Sequence, residues 1–146
     1  MTPGTSTRGQ RGSISVEMVV LGPVLLLFVL AVLFAGRYAL AQQAVQAAAA
    51  EAARAASIAR SAEQASGAAT GAASASLSNQ DVRCATASVS VDTAAFASRP
   101  GTPGVVTASV SCQVDMSDLA FPGIPGNRTV EATMSSPVDT YRGRNG

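Results

Sequence analysis

Arg11-Gly12-Ser13-Ile14-Ser15-Val16-Glu17, with the uncharged run Met18–Gly36 behind it, decides how the rest of this chain is read. The run is 19 residues long, close to the ~20 helical residues that a bilayer core requires. Glu17 stands immediately before it, and a carboxylate at the edge of lipid is costly unless something answers its charge. If the chain is cut after Gly12, Ser13 becomes the amino terminus and Glu17 the fifth residue of the mature protein. The new α-amine is cationic near neutral pH. Among packed apolar helices, the amine of one subunit and the carboxylate of its neighbour then neutralise each other. Loss of either partner strands a desolvated charge. Glycine before the cut leaves a peptidase free access to the backbone.

Outward from this stretch, residues 1–12 form a short polar leader carrying Arg8 and Arg11, which the positive-inside rule keeps cytoplasmic. Pro23 falls within the apolar run and predicts a kink or a local loosening. Gly36-Arg37-Tyr38 marks the far interface, with a snorkelling guanidinium and an aromatic ring. This places a transmembrane helix over 13–36, in an inner membrane, with the C-terminal part outside. Leu40 to Ser66 is rich in strong helix formers and holds neither proline nor glycine. It predicts one continuous helix from near Ser15 to near Ser66, roughly 75 Å long, with the extracytoplasmic part over 37–66. Tyr38, Ala41, Val45, Ala48, Ala52, Ala55, Ala59 and Ala62 recur at alternating spacings of three and four, the pattern of helix-on-helix packing. Alanine would let either a neighbouring subunit or the chain's own domain approach that seam closely.

Glycines 67 and 71 predict the end of the helix and a linker over 67–80. Three alternating segments follow. They are Ala85, Ala87, Val89 and Val91 between polar residues; Val106, Ala108, Val110, Cys112 and Val114; and Val130, Ala132 and Met134. Period-two alternation predicts half-buried strands of an antiparallel sheet over 81–139, covered on its apolar face by the outer helix, with a tail over 140–146. The fold class is therefore α+β. Large side chains are few, and only Phe96, Phe121 and Tyr141 are aromatic beyond Tyr38, so the core will be thin and in need of a staple. Cys84 and Cys112 supply a candidate disulfide if this part is exported. In a cytoplasmic domain they would be two buried thiols. A bridge would close about 29 residues and add roughly 3–4 kcal/mol. Cys112 lies on the apolar face of its strand, whereas Cys84 is out of phase with its own.

Composition excludes several functions. There are ten basic residues, all arginine, against nine acidic ones, with no basic stripe, which argues against a nucleic-acid partner. With neither histidine nor lysine, the usual bases that activate serine are missing, so no enzyme and no small-molecule substrate are expected. Two thiols without histidine make a poor zinc site, and no cofactor is expected.

Arg11-Gly12-Ser13-Ile14-Ser15-Val16-Glu17 resembles the class III signal of type IV prepilins. Taken with Pro23, Gly36-Arg37 and Ala48-Ala49-Ala50-Glu51-Ala52-Ala53-Arg54-Ala55-Ala56, it looks like the TadE-type pilus-assembly proteins. The likeness covers about residues 11–60, with a looser one from Thr129 to Arg142. Ser13 departs from the phenylalanine usual at the first mature position of type IV pilins. The resemblance implies a minor pilin or pseudopilin of a Flp-type tight-adherence system, cleaved by a prepilin peptidase. Its implied partners are other pilin or pseudopilin subunits, the peptidase, a membrane assembly platform with a secretion ATPase, and the bilayer itself. Two other readings use the same residues. One is an uncleaved single-pass anchor presenting a disulfide-bonded β domain. The other is a secreted protein whose signal peptide is cut after Ala41.

Overall fold

The structure, a computed structural model, describes residues 13–99, 101–117 and 126–139. The architecture is α+β: a long N-terminal helix, a second helix and a three-stranded antiparallel sheet. The chain divides into two compact units, Met1–Arg37 and Tyr38–Gly146. Helix α1 (Ser13–Ser57) contributes to both and runs through Pro23 without interruption.

Helix continuity to Ser66 and the linker over 67–80 are both corrected. Helix α1 ends at Ser57, and a second helix, α2, occupies Ala62–Asn79. The α1 end is held by the Ser57 hydroxyl, which donates to the Arg54 carbonyl at 2.8 Å. A new start follows at once. Ser61 is the N-cap of α2 and accepts from the Gln64 backbone N–H at 3.3 Å, while Gln64 Oε1 accepts from the Arg60 N–H at 3.4 Å. Ser61-Ala62-Glu63-Gln64 has the spacing of a capping box. Gly67 and Gly71, taken from sequence as terminators, lie inside α2 on its exposed side. Thr70, Ser74 and Ser78 donate their hydroxyls to the carbonyls four residues earlier, which absorbs polar groups that would otherwise compete with the helix. Around Gln80 as C-cap, Val82 N–H bonds Leu77 O and Asp81 N–H bonds Ser78 O, with Asp81 at φ 54. This is a Schellman ending with aspartate where glycine is usual.

The sheet has the order β1-β2-β3, formed by Cys84–Asp92, Val105–Asp115 and Asn127–Pro137. Its two faces follow the alternation. Val106, Ala108, Val110, Cys112, Val130 and Ala132 are buried. On the other face, hydroxyls of directly opposed residues bond across strands: Thr107 with Ser135 at 3.1 Å and Ser109 with Thr133 at 2.8 Å. Met134 falls in the expected phase but lies at the sheet's edge and is 37% exposed.

The misfit of Cys84 has a structural cause. Cys84 pairs with Val114 and Thr86 with Gln113, leaving Ala85 as the extra residue of a β-bulge. The bulge moves Cys84 onto the face of Val114 and Cys112. There the two cysteines form a disulfide with Cα atoms 5.3 Å apart.

Tyr38–Gly146 shares one hydrophobic core among α1, α2, β2 and β3. Alanines 41, 48, 49, 52, 53 and 56 of α1 meet Ala65, Ala69, Ala73 and Leu77 of α2 and the valines of the sheet within it. Ser136 of β3 donates to Ser57 Oγ at 3.2 Å and ties the sheet to the end of α1. Small side chains make this core thin, as the composition requires, and the disulfide staples its two N-terminal strands.

Candidate functional site

Three features carry the functional case: the segment before the apolar run, the run itself, and the alanine face. Gly12 lies outside the described residues. Ser13 is the first residue of α1, and Glu17 follows four residues later in the same helix. That spacing places both positions on one helix face, one turn apart.

The apolar run has the exposure of a segment made for lipid or for other helices. From Met18 to Val29 every residue is exposed, and Leu25 and Phe28 are 64% and 65% accessible. A water-soluble helix buries one stripe and wets the other, whereas this one is apolar on every side. Among the described residues, α1 is the one helix long and apolar enough to cross a membrane.

The alanine face answers the question its sequence left open. Ala41, Val45, Ala48 and Ala52 are buried, but in the chain's own core. The buried stripe also takes in Ala44, Ala49, Ala53 and Ala56, which the seam missed. Ala55 and Ala59 are only half-buried, and Ala62 is exposed at the start of α2. The face follows the 3.6-residue period of a helix lying on a sheet, wider than a two-column seam. Between Ala41 and Ala52 the seam is therefore already occupied by the chain's own core.

Among the described residues, the remaining polar groups do not converge on a reaction centre. A shallow open groove between α1 and α2 is lined by Glu51, Ser76, Asn79, Gln80 and two alanines. Asp115 accepts from Ser117, whose side chain and backbone N–H together hold its carboxyl below the usual aspartate range. That arrangement is a turn after β2.

Residues 12–54 match the TadE-like protein family. The match begins at the glycine before Ser13, crosses the whole apolar run and ends at Arg54 on the last turn of α1. It covers less than a third of the chain and includes neither α2 nor the sheet. No match is found among curated proteins or among solved structures. The TadE-like segment thus coincides with α1, in which an exposed apolar half is followed by an alanine half sunk in the core.

Proposed function

We propose that this protein is a membrane-anchored minor pilin or pseudopilin of a Flp-type tight-adherence pilus or a related secretion system. Prepilin peptidase cuts it after Gly12, and it assembles through the apolar half of α1. The observation that carries the reading is the family match over 12–54, laid on a helix whose first half is apolar on all sides. Together these fit a membrane-anchored component of a Tad pilus system. The role is structural, in keeping with a chain that has no histidine or lysine for acid–base work. Its partners are other pilin-like subunits, the peptidase, the assembly platform and the bilayer. The leader stays inside, and the disulfide-bonded domain stands outside the inner membrane, where oxidising conditions favour the bridge. In the assembled state Glu17 of one subunit neutralises the α-amine of Ser13 in the next.

N-terminal sequencing and intact mass of the protein extracted from its native membrane test the reading. The expected mature chain begins at Ser13. A chain that retains its leader is a plain anchor, one that begins at Gln42 is secreted, and either result overturns the proposal. Glu17→Ala should leave membrane insertion and cleavage intact while stopping incorporation into the filament or its assembly complex.

A further inference from the structure

A three-stranded sheet has two outer edges, and here they differ. On β1 the ladder is broken by the bulge between Cys84 and Thr86, and α2 packs against the same strand. A bulged strand is a poor template for another chain. By contrast, β3 pairs with β2 in unbroken register over all 11 residues from Asn127 to Pro137. Among the described residues nothing pairs with its outer edge. Natural sheets blunt such edges with charges, proline, bulges or short length. Along β3 the only charges are Arg128 and Glu131, and the only proline is its last residue. Met134, a large apolar side chain on the core face, is also left 37% exposed at this edge.

We infer that β3 is an interface strand, onto which a second copy of this chain adds antiparallel to make a six-stranded sheet. The strand is complementary to itself. With the two-fold axis at Ala132, Val130 stands opposite Met134 of the second copy on the core face. On the hydroxyl face, Thr129 stands opposite Ser135, and Glu131 opposite Thr133. No like charges oppose one another, and the exposed Met134 gains an apolar cover. Hydroxyl pairs of the kind already made between β2 and β3 then recur across the new seam. The dimer also closes. Its outer strands are both β1, so the sheet stops at two copies and does not run on as a fibre. That suits a subunit used once or twice at a defined place better than one repeated along a filament. The inference does not depend on cleavage after Gly12.

Cysteine pairing in membranes tests it with the full chain. Glu131→Cys and Thr133→Cys, on two differently tagged copies expressed together, occupy exposed positions that the pairing sets directly opposite. Opposed Cβ atoms lie about 4.5–5.5 Å apart, within reach of a disulfide once the strands breathe. Mild oxidation should give a mixed dimer carrying both tags, seen on a non-reducing gel. Ser88→Cys on β1, expressed as two tagged copies, should give none. Adding Met134→Lys to the cross-linking pair should lower the yield on the order of tenfold, because the ammonium would face Val130 of the second copy in an apolar seam. Retention of the Cys84–Cys112 bridge and of protease resistance shows that this variant still folds. Absence of the mixed dimer, or an equal yield from the β1 control, would overturn the inference. Each leaves the N-terminal sequencing result untouched.

Discussion

Gly67 and Gly71 offer the sharpest test of the fold, because a linker and a helix demand opposite things of them. Both lie in the interior of α2, both are exposed, and a Cβ built at either meets nothing within 4 Å. In a helix interior glycine is less favourable than alanine by about 0.5–1 kcal/mol, mostly through the backbone entropy it loses on folding. With open space around both positions, no clash offsets that gain. Gly67→Ala and Gly71→Ala should each stabilise the domain by about 0.5–1 kcal/mol, and the double variant by about 1–2 kcal/mol. At roughly 4–8 °C per kcal/mol for a domain of this order, the melting shift is well within measurement. Alanine alone does not decide the matter, since it also stiffens the unfolded chain and helps in some loops. Proline does. Gly71→Pro removes the bond from its N–H to the Gly67 carbonyl and drives the ring into the preceding turn, at about 3 kcal/mol or more. A linker would accept it. The assay is thermal and urea unfolding of the full chain in detergent, followed by circular dichroism at 222 nm. Alanine up and proline sharply down is the expected pattern. If Gly71→Pro is tolerated within about 1 kcal/mol, α2 does not exist in solution and the reasoning fails.

Other perturbations reach different parts of the same unit. Asp81 holds a left-handed conformation at the end of α2, so Asp81→Gly should stabilise by about 1 kcal/mol, read as a higher urea midpoint at unchanged slope. Replacing Cys84 and Cys112 together by alanine opens a bridge across a separation of 28 residues and should remove about 3–4 kcal/mol, visible as a lower midpoint that reductant does not move further. The Asp115 carboxyl is held low by Ser117, so its contribution is present above the unfolded aspartate pKa and is lost as pH falls through the lower folded value. The stability difference between the parent and Asp115→Ala should accordingly be constant near neutrality and shrink below about pH 4.

Much of the architecture was legible in the sequence, and the lapses have definite causes. The three strands could be read because valines alternate with serine and threonine, giving the pattern contrast. The α1–α2 break could not be read from composition, because Leu40 to Ser66 offers no proline or glycine to stop at. The signal was the cap: Ser61 followed three residues later by Gln64 marks a helix start. Glycines 67 and 71 misled because on an exposed face a helix tolerates them at modest cost. The alanine face had no contrast at all. Ala47 and Ala50 are exposed while Ala48 and Ala49 are buried, so identical residues lie on both sides and only the packing tells them apart. The phase of Cys84 was a genuine signal, and what it reported was the bulge.

The settled position of the alanine face narrows where subunits can meet. Much of a seam that could have served assembly is buried in one cluster with the valines of the sheet. Large aliphatic side chains are few in that half of α1, Leu40 and Val45 among them, and crowd the other, where Leu25, Leu26, Leu27 and Phe28 are all exposed. One helix thus carries two sequences with opposite tasks. The alanine half is built into the core of the domain, and the leucine half is exposed and apolar enough to anchor in a membrane. Exchanging Leu26 for alanine should leave the unfolding midpoint of Tyr38–Gly146 unchanged while weakening incorporation. Exchanging Ala49 for leucine should do the reverse, overpacking the core at roughly 1–3 kcal/mol. If both variants altered only assembly, the alanine face would be an intersubunit surface after all.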